Sequence, residues 1–96
     1  MTPDERWKSS LGADLKPDWS LVPWEGLAQV VAVMSWSEAQ KHSGGEWQTK
    51  TAAYHAGKAI GHTVAHLRGK VTDDESGLPS LAHAAARALM ACGVGE

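Results

Sequence analysis

The residues able to do chemistry in this chain are five histidines, a run of acidic residues and a few scattered cations. His55, His62 and His66 fall within about 40° of one another at helical spacing, so on a helix they form one stripe. His62 and His66 lie about 6 Å apart along such an axis, close enough for both imidazoles to approach one ion or one anionic ligand. A neutral imidazole is a metal ligand and an imidazolium holds phosphate, and half-buried side chains bordering a core face are the structural alternative. Asp73, Asp74 and Glu75 follow the stripe and precede His83. Their hard oxygens suit magnesium or manganese, the ions that accompany nucleoside triphosphates, although three acidic residues in a row also make an ordinary solvated turn. Lys58 and Thr51 sit beside the stripe and Arg87 one turn beyond His83, each placed to offer a donor to phosphate or simply to face solvent. Trp24, Trp36 and Trp47 have flat faces for stacking a base or for burial in the core and at subunit contacts.

Several other chemistries have no footing. The sequence holds no GxxxxGK[ST] loop, no glycine-rich dinucleotide turn, no CxxC pair and no HExxH motif. Its single cysteine, Cys92, cannot make an internal disulfide and reads as a packing residue. Nine basic and eleven acidic residues give a formal charge of -2, which supplies no basic field for a phosphate backbone, so duplex nucleic acid is not an expected partner. No apolar run reaches the length of about 20 residues that spans a bilayer, and Met1 to Ser10 lacks the apolar centre of a signal peptide. A reducing, cytoplasmic setting without membrane contact is expected.

These side chains must be positioned by helices. The polar stretch 1–19, with Pro3, Gly12 and Pro17, predicts an irregular arm with at most a short helix near Glu5 to Lys8, and 20–96 predicts one helical domain. The first long helix is expected over Pro23 to His42, capped by Ser20 and stopped by Gly44 and Gly45, with Leu27, Val30, Val31 and Met34 on one face. That stripe continues into Glu38, Lys41 and His42, so its last turn becomes ionisable. A second helix is expected over Trp47 to Arg68, with Ala52, Ala56, Ala59, Ile60, Thr63 and Leu67 as its core face. An acidic loop, Gly69 to Pro79, leads to a third helix over Ser80 to Cys92, capped by Gly93 and packing through Leu81, Ala85, Ala88, Leu89 and Cys92. No alternating apolar run predicts a strand. The expected fold class is all-α, a small bundle of three main helices. Because its core is rich in alanine, lacks phenylalanine and is accompanied by five tryptophans, completion by a symmetric partner as a homo-oligomer is expected.

The string Asp73-Asp74-Glu75-Ser76-Gly77-Leu78-Pro79-Ser80-Leu81-Ala82-His83-Ala84-Ala85 resembles the segment D-x-E-S-G-L-x-H-L-A-H-A of the phage dATP/dGTP diphosphohydrolase N-terminal family. His62 with Leu67-Arg68-Gly69 is similar to that family's R-H-L and following glycine. Ser20-Leu21-Val22-Pro23 resembles its D-L-I-P before the first helix, and Lys41 to Trp47 its K-Y-G-x-x-N-W after it. The resemblance implies an all-helical domain, commonly phage-encoded, that removes pyrophosphate from purine deoxynucleoside triphosphates with Mg2+ or Mn2+. The positions that match are Trp47, His62, Asp73, Glu75 and His83. Joined to the residue chemistry above, this gives Glu75 and His62 as catalytic candidates. Trp47, Lys58, His62, His66, His83 and Arg87 become nucleotide contacts, and Glu38, Asp73 and Glu75 metal ligands.

The chain also departs from the pattern. Lys70 stands where the family has an acidic residue, Ser80 where it has histidine, and Arg87 where it has asparagine. The paired E-x-x-E and E-x-x-D by which related helical pyrophosphohydrolases hold magnesium have no counterpart here, since Glu38 is alone in the first helix beyond its opening turn. Two functional readings follow. One is a metal-dependent pyrophosphohydrolase converting a purine dNTP to dNMP and pyrophosphate. The other is a non-catalytic nucleotide or cyclic-nucleotide binding protein, a sponge with which a phage sequesters a host signal. His62, Asp73, Glu75 and His83 are expected to converge on one pocket, from their match to the family motif and their placement around one helix-loop-helix turn, which an antiparallel pairing allows.

Overall fold

The computed structural model describes residues 17–40 and 45–95. The expected short helix at Glu5 to Lys8, most of the arm, and the first helix's last residues to His42 lie outside them. Three helices are present, α1 (Trp24–Gln40), α2 (Ala52–Leu67) and α3 (Ser80–Val94), with 3-10 turns at Trp19–Leu21 and Glu46–Thr49. Among the described residues there is no strand, only a single bridge between Thr72 and Pro79. The fold is an all-α bundle.

The helix ends follow local chemistry, and several differ from expectation. Ser20 does not cap α1. It belongs to the first 3-10 turn, where its N–H donates to Asp18 Oδ1 at 3.0 Å. The carbonyl of Pro23 instead accepts the first helical bond, from Leu27 N at 2.9 Å. The second helix begins later than expected, because Glu46–Thr49 forms its own turn and Lys50 is extended before Thr51 caps α2 by accepting from Tyr54 N. At the other end of α2, Gly69 takes a φ of 97°, letting Lys70 N reach Ala65 O and Gly69 N reach His66 O, a Schellman closure. The cap of α3 is Gly95 rather than Gly93, and Ser80 opens α3 while its hydroxyl donates to Lys70 O.

α3 is the middle of the assembly. It packs extensively along α2 and less extensively on α1, and α1 and α2 do not pack on each other. Accordingly Ser80, Ala82, His83, Ala84 and Ala86 are buried nearly all round its first two turns. The small apolar core joins Val30 and Val33 of α1 to Ala82 and Ala86, with Met34 and Leu78 at its border. Each buried valine contributes about 1.5–3 kcal/mol.

The inward faces of α2 and α3 are not the expected ones. Ile60 and Leu67 are 64% and 77% exposed, Leu81 and Leu89 nearly half exposed, and Ala85, Ala88 and Cys92 are exposed as well. On α2 the inward line is Ala52, His55, Ala59, His62, Ala65 and His66. Val31 of α1 likewise points outward, with Val33 in its place. Alanines alternating with imidazoles let the helices approach closely, and the most buried imidazole, His55, finds polar partners on both ring nitrogens.

Glycine positions give a stability test. A Cβ at Gly93, inside α3, would stand 3.2 Å from Cζ3 and Cη2 of Trp47, whereas one at Gly57 or Gly61 would meet nothing within 4 Å. Gly57→Ala and Gly61→Ala should each stabilise by up to about 1 kcal/mol. Gly93→Val should destabilise by about 1–3 kcal/mol because the indole must be displaced. Urea unfolding monitored by circular dichroism measures both, and a neutral Gly93→Val would refute the indole contact.

Candidate functional site

Because α1 and α2 do not meet, a cleft remains between them above α3, closed at one end by the Glu46–Thr49 turn and at the other by the acidic loop. It holds a cavity of about 360 Å³. Its lining brings together Glu38, Glu46, Asp73 and Glu75, the imidazoles His62 and His83, the cations Lys50 and Arg87, and the rings of Trp36, Trp47 and Tyr54. Val33, Met34, Ala86 and Met90 form its apolar part. A second cavity of about 410 Å³, between α1 and α3 around Leu27, Val30, Leu81 and Leu89, has an almost wholly apolar lining and no ionisable group.

The acidic loop is built around Asp73. Its N–H donates to Leu78 O, its carbonyl accepts from Gly77 N, and its Oδ2 accepts from both N–H and Oγ of Ser76, at 2.9 and 3.0 Å. An aspartate bonding the backbone a few residues on is the usual chemistry of such turns. Ser76 Oγ also accepts from Leu78 N at 3.1 Å and lies 2.7 Å from His83 Nε2. The hydroxyl has one hydrogen, and it goes to Asp73, which as a carboxylate can only accept. His83 must therefore donate from Nε2. Burial pushes the Asp73 carboxyl up, but the two Ser76 hydrogen bonds together with His83 and His62 hold it below the ordinary aspartate range.

His62 stacks on His83, centroids 4.9 Å apart, and Trp36 meets His83 edge-on at 5.9 Å. Burial, then the neighbouring His83, with Arg87 and Lys58 adding to them, lower the His62 pKa below its ordinary 6.5, against the opposing pull of Asp73. His62 is thus a neutral imidazole at neutral pH. His55, one turn from the α2 N-terminus, is wholly buried. Its Nε2 lies 2.8 Å from Trp47 O and its Nδ1 3.1 Å from Arg87 Nη1. The carbonyl and the guanidinium permit one arrangement, with Nε2–H donating to Trp47 and Arg87 donating to Nδ1.

Of the residues singled out from sequence, Glu38, Trp47, His62, Asp73, Glu75, His83 and Arg87 line this one cavity. Glu38 reaches it with Oε2 buried and without a hydrogen-bond partner. His66 lies outside the lining, its Nδ1 buried and unpartnered, and Lys58 lies beyond the rim with its ammonium 5.5 Å over the Tyr54 ring. Thr51 is occupied in capping α2, and Trp24 is 56% exposed on α1 outside the cavity. Among the described residues no three histidine, cysteine or carboxylate side chains are grouped so as to hold a metal ion. Sequence reasoning missed Ser76, Lys50, Tyr54, Glu46 and the positioning role of His55. For Ser76 a signal existed, a serine three residues after an aspartate and just before a glycine, the pattern of an aspartate-closed turn.

The family described as dATP/dGTP diphosphohydrolase, N-terminal, matches residues 9–94, which takes in all three helices and both ends of the cleft. The chain belongs to this family. No curated protein and no solved structure matches it. The loop that Asp73 and Ser76 close and the turn of α3 that carries His83 both lie within the matched residues. No helix among the described residues is long and apolar enough to cross a membrane.

The depressed His62 pKa makes a prediction about stability. Between its folded value and 6.5 the unfolded chain binds a proton at His62 that the folded chain does not, so stability rises with pH. The contribution is fully present above 6.5 and is lost as pH falls from there through the folded value. Melting temperature measured from pH 8 to pH 5 should fall more steeply for the parent chain than for His62→Gln. Parallel curves for the two would contradict a neutral, buried His62.

Proposed function

We propose that the cleft takes a purine deoxynucleoside triphosphate and that the domain serves its hydrolysis to the monophosphate and pyrophosphate. The observation that carries this reading is the meeting of His62, Asp73, Glu75 and His83, from two helices and a loop, in one cavity of a chain of this family. Its volume falls within the ~300–1,000 Å³ typical of small-molecule sites.

In such a hydrolysis a water oxygen bonds to the α-phosphorus, the bond from that phosphorus to the bridging oxygen breaks, and pyrophosphate leaves with the electron pair. The water proton needs an acceptor. His62, held neutral, has a lone pair for it, with Glu75 as the second acceptor in the cavity. Asp73 commits Oδ2 to Ser76, so its first task is to hold the loop and, through Ser76, the donor orientation of His83. The indole of Trp36, beside His83, supplies a face for the base.

The buried, unpartnered Oε2 of Glu38 calls for a cation or a donor, since an unpaired buried carboxylate oxygen is costly. It fits a magnesium ion that arrives with the nucleotide, because magnesium is commonly held by one or two carboxylates plus substrate phosphates rather than by an all-protein cage. Glu38 and Glu75 are the proposed ligands. When bound, the ion supplies neutralisation of charge on the phosphate oxygens.

Incubation with dATP or dGTP and magnesium should yield dNMP and pyrophosphate in equal amounts, resolved by ion-exchange chromatography. His62→Ala, Glu38→Gln and Glu75→Gln should each lower turnover by about 100-fold or more while melting within a few degrees of the parent chain. Tightly bound but intact nucleotide would replace this reading with the sponge, and neither binding nor cleavage would sink both.

A further inference from the structure

The mouth of the cleft beside the start of α2 carries a gathering of positive charge. Three cationic groups surround one ring: the Lys50 ammonium at 5.6 Å from the Tyr54 centroid, the Lys58 ammonium at 5.5 Å and the Arg87 guanidinium carbon at 5.9 Å. Among the described residues Lys70 pairs with Asp74 and His83 Nε2 lies 3.7 Å from Asp73 Oδ2, and no ion pair joins a carboxylate to Lys50, Lys58 or Arg87. The first turn of α2, which opens between Lys50 and Tyr54, adds the positive end of a helix.

Arg87 is tied to this place. Its Nη1 donates to the wholly buried His55, whose other nitrogen is fixed on Trp47 O, so the guanidinium cannot turn away without leaving a buried imidazole nitrogen unpaired. The fold thus holds one cation inward while two lysines, on opposite sides of Tyr54 in sequence, close over the same ring. The attraction of each to the ring face is modest at an exposed site, and Tyr54 is 43% exposed, so the ring alone does not balance three like charges. Arg87 and Lys58 both act to lower the His62 pKa, which places their field over the chemical end of the cleft as well.

We propose that Lys50, Lys58 and Arg87, arranged around Tyr54, form the anchor for a polyphosphate chain, with His55 as the positioning residue for Arg87. Several separate cations match a ligand whose negative charge is spread over many oxygens, as in a polyphosphate, better than a single carboxylate. This subsite rests on the nucleotide reading of the cleft and assigns the tail of that ligand to the α2 end. Lys50 and Tyr54 line the cavity with Arg87, and Lys58 reaches over its rim.

The test uses inorganic tripolyphosphate on the full chain by isothermal titration calorimetry, with dGTP and deoxyguanosine as parallel arms. Tripolyphosphate and dGTP should bind, more weakly as salt is raised, and deoxyguanosine should bind far more weakly than dGTP. Lys50→Ala and Lys58→Ala, on exposed side chains that leave the fold intact, should each weaken tripolyphosphate by about tenfold, and Lys50→Arg should restore binding. Arg68→Ala, on an exposed cation outside the cluster, should change nothing. Absence of tripolyphosphate binding, or binding that the two lysine variants leave unaltered, overturns the anchor even if dGTP is cleaved. Binding that depends on the lysines while dGTP stays intact keeps the anchor and overturns the hydrolytic reading instead.

Discussion

A wholly buried imidazole must have both ring nitrogens satisfied, and most of this structure is arranged around meeting that requirement at His55. One nitrogen takes the carbonyl of Trp47 and the other a guanidinium hydrogen of Arg87. Leaving either unpaired would cost about 1–3 kcal/mol, a large share of what a domain of this size has in reserve. The bond to Trp47 therefore holds the Glu46–Thr49 turn against α2, and the indole of that turn lies on Gly93 of α3, where even a Cβ would stand 3.2 Å from it. The bond to Arg87 fixes how α2 sits on α3. From that one contact follow both the end wall of the cleft and the inward aim of its best-anchored cation.

The far end of the cleft is governed by the same rule on a smaller scale. Asp73, Ser76 and His83 share a set of hydrogens that can be placed in only one way, with the carboxylate accepting and the imidazole donating. Stacked beside His83, His62 is kept from charging by burial and by its neighbours. Two fixed ends joined by α3 leave an open middle, because α1 and α2 are held apart by the helix between them. A cleft lined by carboxylates, imidazoles, cations and indoles is the consequence.

The polar interior also explains the exterior. With alanine and histidine turned inward, the larger apolar side chains of α2 and α3, Ile60, Leu67, Leu81 and Leu89, are left on the outside. Among the described residues the apolar core is correspondingly small, a cluster of Val30, Val33, Ala82 and Ala86 with Met34 and Leu78 beside it.

The amino-acid sequence by itself determined that the chain is helical, roughly where its three helices lie, which family its loop motif belongs to, and that His62, Asp73, Glu75 and His83 flank one helix-loop-helix turn. Such features are local: caps, glycine punctuation, periodicity and a short motif are written in neighbouring residues. It did not determine which faces turn inward. Periodicity places the histidines beside the Ala52, Ala56 and Ala59 stripe, and ranking by hydrophobicity then assigns Ile60 and Leu67 to the core and the imidazoles to its margin. Tertiary structure reversed this, because His55 is satisfied by Trp47 O, which only a separate turn folded back on α2 presents to it, and by Arg87, 32 residues further along the chain, and neither contact is written in the periodicity of α2. Lys50 and Lys58 stand four residues either side of Tyr54, a local spacing, but only the folded chain brings Arg87 to the same ring, and only it sets α3 between α1 and α2 so that a cleft exists at all.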